Sequence, residues 1–286
     1  MIPFRRASLL PYVDAILLNE KMLLINKALR KNSLLLEDDI ETKKNRLYSS
    51  KVVYIHAETY DGWADLLIEL QEEKPLPIRL VIIGSTDYTM DNEHIEALVA
   101  FMPFTQFWIQ NWMGSLPNCL TLPIGSLYNY TGSIEKKYTF AISYMSFNGS
   151  SFRKEFFEYL DSKEASELTK YHLQECTEDK FYEKLAHLRF SPCPMGCGFD
   201  THRFWECLMT ACIPIVKDHP FYDTLFKQYP GLPVIRVKEW SELLELFHTL
   251  SDELYVKMMK DANVEVVWEE YWLPKIESAC REERSL

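Results

Sequence analysis

Leu80-Val-Ile-Ile83 is apolar at every position and stops at once in Gly84-Ser-Thr-Asp87. A strand of this kind has no face to offer to water. It must lie in a sheet covered on both sides, which is the habit of parallel sheets flanked by crossover helices. Strand-like runs recur at 51–56, 105–109, 119–125, 138–143, 187–190, 213–216 and 232–237. Helical periodicity fills much of the space between them, at 9–31, 63–73, 92–101, 152–160, 178–187 and 239–250, with a long helical tail from Asp252. Strands alternating with helices define an α/β protein.

The pattern breaks once. Ser126 to Lys137 is polar and aperiodic, and the alternation then restarts. For 286 residues this predicts two α/β domains, 1–130 and 131–286, with a ligand cleft at their junction. Hydrophobic residues make up 47% of the chain, enough for a sizeable core. The formal charge of −11 argues against a general nucleic-acid binder, which needs a broad basic surface, but leaves room for a small basic pocket. Seven cysteines, an odd count in a long chain, argue against a disulfide framework. With no signal-peptide h-region and no apolar run near the length of a membrane span, the expectation is a cytoplasmic protein.

The chemistry concentrates in Phe190-Ser-Pro-Cys-Pro-Met-Gly-Cys-Gly-Phe-Asp-Thr-His-Arg-Phe-Trp-Glu206. A strand ends near Phe190, a Pro/Gly loop containing Gly198 follows, and Asp200 or Thr201 is placed to cap a helix. Arg203 and His202 then fall in its first turn. A cation there opposes the helix dipole by about 0.3–1 kcal/mol, a cost that makes sense when an anion is bound to the free N–H groups. Glu206 shares the face of Arg203 and can accept ribose hydroxyls; the same spacing also makes an ordinary surface ion pair. A second loop, Asn148-Gly-Ser-Ser-Phe-Arg153, precedes the 152–160 helix. Its Asn148, Gly149 and Ser150 backbone can face a diphosphate with Arg153 behind it, or serve only as a capped strand-to-helix turn.

These residues resemble the nucleotide-binding half of exostosin-like glycosyltransferases: Asp200, His202, Arg203, Trp205, Glu206 and Leu208, followed by Ile213-Pro-Ile-Val216. Ile83-Gly-Ser-Thr-Asp87, Gln110-Asn111 and Leu122-Pro-Ile-Gly125 are similar to further elements of that family. The resemblance implies two facing Rossmann-like domains of the GT-B type. It implies sugar transfer from a nucleotide-diphosphate donor, most often a UDP-sugar, to a carbohydrate hydroxyl, usually with inversion. Arg203, Arg153 and the 148–151 loop would hold phosphates and Glu206 the donor ribose. Residues 138–250 would carry the donor and 1–125 the acceptor and the base. The C-terminal helical segment with Trp268, Tyr271 and Trp272 would pack back across the domains. No D-x-D dyad ends a strand, so no divalent metal is indicated.

The sequence departs from the family in two places. Ala211 stands where the family has glycine after the helix, and Gly84-Ser85 replaces its His-Asn. Inversion needs a base for the acceptor's proton. Asp87, beyond Ile83, is the first candidate, with His56 and Glu58 after the preceding strand as alternatives. The altered 84–85 pair raises a second possibility, a catalytically silent relative that binds a glycan or a protein. A third is a metal module at Cys193, Cys197 and His202, which lacks a local fourth ligand.

Overall fold

The computed structural model describes all residues except 1, 3, 26–31, 85–86, 88, 128–129, 131, 144, 146–149, 174–175 and 282–286. The chain forms two compact units. The first is Arg6–Pro123 with Trp272–Leu286; the second is Ile124–Tyr271 with Met1–Arg5. The division into units falls after Pro123, and each chain end belongs to the unit opposite to its half of the sequence.

The first unit holds a six-stranded, all-parallel sheet in the order β2-β1-β3-β4-β5-β6. Its strands are β1 (Ala15–Leu18), β2 (Ser33–Leu35), β3 (Val52–His56), β4 (Leu80–Gly84), β5 (Gln106–Ile109) and β6 (Cys119–Thr121). Every residue of β1, β3 and β4 is buried, and all but His56 at the end of β3 are hydrophobic or glycine, as burial on both faces demands. Helices α1 (Glu20–Ile25), α2 (Ile40–Leu47), α3 (Tyr60–Glu73) and α4 (Asn92–Phe101) complete the crossovers. Helix α3 buries Tyr60, Trp63, Ala64, Leu67 and Leu70, the three-and-four spacing of one face. Asp91 caps α4 by accepting from the Glu93 amide at 3.0 Å.

The predicted helix over 9–31 is corrected here. Arg6–Tyr12 is a 3-10 turn, Ala15–Leu18 is a strand and, among the described residues of this stretch, only Glu20–Ile25 is α-helix. A strand buried on both faces has no period of its own, so its residues merge into a neighbouring helical pattern.

The second unit has a four-stranded parallel sheet in the order β10-β9-β8-β7. The strands are β7 (Tyr138–Phe140), β8 (Leu188–Pro192), β9 (Ile213–Lys217) and β10 (Ile235–Val237). Past the end of β7, Ile142 makes a single parallel bridge to His172. Helices α5 (Ser151–Leu160), α6 (Glu178–Ala186), α7 (His202–Met209), α8 (Pro220–Gln228) and α9 (Leu243–Thr249) follow. The long tail predicted from Asp252 is three pieces, α10 (Asp252–Lys260), a 3-10 turn at Glu265–Val267 and α11 (Glu269–Arg281). Tyr271 packs on Tyr229 in the second unit, and Trp272, the next residue, lies edge-on to Trp108 in the first at 5.3 Å.

Counting the Ile142–His172 bridge as a rudimentary second strand, both sheets share one order. The second strand precedes the first, and the third, fourth and fifth continue on the other side. In each sheet the direction of winding therefore reverses between the first and third strands, at β1/β3 and at β7/β8. Ligands of open α/β sheets sit beyond the carboxyl ends of strands at such reversals. Among the described residues, no helix is long and apolar enough to cross a membrane.

Candidate functional site

In the second unit the chain leaves β7 through Ala141, Ile142 and Ser143, while β8 ends in Ser191 and Pro192. The Ser191 hydroxyl donates to Ser143 Oγ at 3.2 Å, both buried. Arg203, in the first turn of α7, donates from Nη1 to Ser143 Oγ at 2.5 Å. Its guanidinium lies 4.2 Å from the centre of the Phe181 ring, a cation–π contact. Its Nε lies 3.3 Å from Glu206 Oε2, and Glu206 Oε1 accepts from the Tyr182 hydroxyl at 2.6 Å. Arg203 is thus fixed from three sides at the winding reversal of its sheet. Its side chain is 15% exposed and that of Glu206 only 4%. The pair is more than the surface contact that spacing alone allowed. Taking such charges out of water costs several kcal/mol unless they are well partnered.

The helix start follows the sequence closely. Thr201 is the N-cap of α7, its hydroxyl accepting from the Phe204 amide at 3.4 Å. Asp200 does something else. Its Oδ2 accepts from the Ile124 amide at 2.6 Å and its Oδ1 from Trp205 Nε1 at 2.5 Å. His202 reaches the same segment, its Nδ1 donating to the Gly125 carbonyl at 2.7 Å. Asp200 and His202 therefore hold the Ile124-Gly125 turn against α7, and their polar atoms are committed to protein. Gly125 itself has φ +72°, and a Cβ there would stand 2.3 Å from the Phe4 carbonyl, so only glycine fits. Burial pushes the Asp200 carboxyl up to about 7, against the lowering effect of its three N–H donors, from Ile124, Trp205 and Thr201. Its folded pKa exceeds its unfolded one, so its contribution to stability is complete below about pH 4 and is lost as pH rises through about 7. We expect Asp200→Asn to flatten that part of the stability–pH curve. It should also cost about 1–3 kcal/mol by facing an amide NH2 against an N–H donor, both readable by urea unfolding at several pH values.

The second loop is only partly described. Asn148 and Gly149 lie outside the described residues. Ser150 is buried and donates to the Gly196 carbonyl at 2.5 Å, tying this turn to the loop before α7 instead of capping α5. Gly198 is buried in that loop and accepts from the Gly196 amide at 3.2 Å. Arg153 is half-buried in the first turn of α5.

A small cavity of about 180 Å³ opens at the carboxyl end of β9, lined by Phe152, Met195, Asp218 and His219 among others. The His219 ring lies 4.2 Å from that of Phe199, and its Nδ1 accepts from the Phe221 amide to cap α8. Burial lowers the His219 pKa, which favours a neutral ring.

The metal alternative is corrected. Cys197 is exposed, Cys193 Sγ lies 3.4 Å from Cys207 Sγ, and His202 is turned to Gly125. Cys193, Cys197 and His202 are not brought together, and among the described residues no group of three or more His, Cys, Asp or Glu side chains is placed to hold a metal.

Ala211, just past α7, has φ +53°. The left-handed region costs an L-residue about 1–2 kcal/mol and glycine nearly nothing. Ala211→Gly should raise stability by about 1 kcal/mol in denaturant melts.

In the first unit, His56 ends β3 on the flank of the β1/β3 reversal and pairs in register with Gly84. It is 9% exposed. Glu58 is exposed in the 3-10 turn Ala57–Thr59, and Asp87 is exposed in a bend past β4. Gln110 and Asn111 are buried after β5, Asn111 at φ +54°.

Ser143, Phe181 and Tyr182, which fix Arg203 and Glu206, were not among the predicted site residues. Phe181 and Tyr182 read as ordinary apolar positions of α6. No protein-family model matches the chain, and no curated protein matches it.

Proposed function

We propose that the protein is a glycosyltransferase of the GT-B type, moving a sugar from a nucleoside-diphosphate donor, most simply a UDP-sugar, to a carbohydrate hydroxyl. The observation that carries this is Arg203. A guanidinium stands at the N-terminus of α7 and at the winding reversal of its sheet, braced by Ser143, Phe181 and Glu206. A nearly buried cation held at a helix N-terminus suits a diphosphate, which gains charge as the glycosidic bond breaks. The short sequence resemblance around residues 200–216 supports the same chemistry.

We assign Arg203 to the diphosphate. Glu206, with both oxygens engaged and little exposure, is assigned to orient Arg203 rather than to bind the ribose. The cavity beside Phe152 and His219, at the carboxyl end of the next strand, is assigned to the nucleobase. In this scheme the acceptor hydroxyl gives its proton to a general base. Its oxygen bonds to the anomeric carbon, and the nucleoside diphosphate departs with the electron pair of the broken C–O bond.

A panel of UDP, GDP, ADP and CMP, each added to the purified chain in a thermal melt, tests the donor. A ligand at 100 times its Kd adds about 2.7 kcal/mol to the folded state. Stabilisation by UDP is expected, and indifference to all four would overturn the reading. His219→Asn keeps a side-chain acceptor for the α8 cap and removes the ring. It should weaken uridine and UDP by the same factor, several-fold, in calorimetric titration; a loss confined to UDP would remove the nucleobase from this cavity.

A further inference from the structure

A cavity of about 860 Å³ lies along the free edge of β7, and Arg203 is not among its lining residues. Its position follows from the topology. In the first unit β2 pairs with β1 over three residues, from Ile16–Ser33 to Leu18–Leu35. In the second unit the corresponding segment touches the first strand only at Ile142–His172, through Ile142 N–H to Tyr171 O at 3.1 Å and Leu173 N–H to Ile142 O at 2.9 Å. The stretch 137–141, which contains β7, thus lines the cavity where a second strand would run. On its other side Tyr138 pairs with Leu188 and Phe140 with Phe190. Ala141 N–H donates to Phe190 O at 3.4 Å while Ile142 pairs on the opposite side, so by the alternation of a ladder the amide and carbonyl of Phe140 address the cavity.

The walls are cationic. Lys137, Lys170, Lys180 and Lys184 line the cavity with two histidines, against Glu183 as the one lining carboxylate among the described residues. In a chain of net charge −11 this is a local reversal of sign. Lys137 and Lys170 pair with Glu135 and Glu167, outside the lining. Lys180 and Lys184 make no ion pair among the described residues. They rise one turn apart on α6, and Phe140 and Phe247, stacked edge-to-face at 5.2 Å, give the cavity an apolar wall.

We propose that this cavity binds an acidic peptide segment in extended conformation, which adds to β7 as a further strand. Main-chain pairing with the Phe140 edge supplies the docking, and carboxylates on the peptide meet Lys180 and Lys184. A saccharide anion matches the charge but cannot pair as a strand with the Phe140 amide and carbonyl. The site is separate from the proposed nucleotide site, so either assignment can fail alone.

The test uses the whole chain and a fluorescein-labelled octapeptide of alternating glutamate and valine, followed by anisotropy. The acidic peptide should bind, more weakly as salt rises, and a lysine–valine analogue should not. K180E/K184E should weaken binding at least tenfold. Because that variant can fail to fold, the wild-type chain is also titrated with the same peptide N-methylated at every second residue, on each of the two alternate sets. Methylation keeps the charge and blocks strand pairing, and at least one set should lose tenfold or more. Absence of binding, equal binding of all three acidic peptides, displacement by UDP, or tighter binding of an oligogalacturonate would each overturn the proposal. Displacement by UDP would place the nucleotide in this cavity, and the oligogalacturonate result would make the occupant a glycan.

Discussion

Replacing Arg203 by alanine is expected to weaken UDP binding at least tenfold, leave uridine binding unchanged, and lower transfer by about two to three orders of magnitude, the scale for losing one donor to a developing anion. The single variant carries a structural complication. Glu206 is 4% exposed, and without Arg203 its carboxylate keeps the Tyr182 hydroxyl as its remaining described side-chain donor. Stranding one half of a buried pair costs about 3–5 kcal/mol. A fall in activity from Arg203→Ala therefore mixes lost chemistry with lost folding. The double variant Arg203→Met with Glu206→Gln removes both charges and keeps most of the volume, and Gln can still accept from Tyr182. It should melt near the parent while its UDP affinity falls as in the single variant. If the double variant retains UDP affinity, Arg203 is a structural residue and the phosphate assignment is wrong. Arg203→Lys is not a conservative control, because an ammonium cannot reproduce the planar contacts to Ser143, Glu206 and the Phe181 ring together.

The parts of this arrangement that the sequence showed are those set by local periodicity. Strands β3, β4 and β9 are short apolar runs bounded by polar or turn residues, and α4 runs from Asn92 to Phe101 as its spacing predicts. Helix α2 was invisible because it buries only Leu47, so no apolar stripe exists to be read. Strand β1 was absorbed into a helix because Val13, Ile16 and Leu17 keep helical spacing with the residues around them. The tail failed differently: the break between α10 and α11 runs through Asp261-Ala-Asn263, where Asn263 accepts from the Glu265 amide and donates its own to Gly231. At the site, the place of Arg203 in the first turn of α7 was legible, since a cap and a Pro/Gly loop announce it. Its partners were not. Ser143 lies 60 residues away and Tyr182 lies 24 from Glu206, and contacts at that range leave no local pattern. Asp200 shows the opposite case. Its type and position suit an N-cap, yet its carboxylate spans 76 residues to Ile124 and leaves the cap to Thr201.

The base is where topology changes the ranking that the sequence suggested. Asp87 follows β4, an interior strand whose neighbours continue in one direction, and it is exposed. His56 ends β3, which flanks the reversal at β1, and it is nearly buried beside Gly84. A group that must take a proton from a bound hydroxyl belongs where ligands of such sheets collect. We therefore expect His56→Gln to keep donor affinity and lower transfer by about two to four orders of magnitude, with Asp87→Asn and Glu58→Gln each changing it by less than about tenfold. An imidazole accepts a proton only when neutral, so on the proposed reading the transfer rate of the parent chain should fall on acidification. That limb should vanish in His56→Gln, which no purely structural defect would produce. A deep loss in Asp87→Asn with the acidic limb intact in His56→Gln would return the role to the β4 loop. Loss of donor affinity in His56→Gln at unchanged turnover would make His56 a binding group, because a base acts on the barrier and leaves the ground-state complex alone.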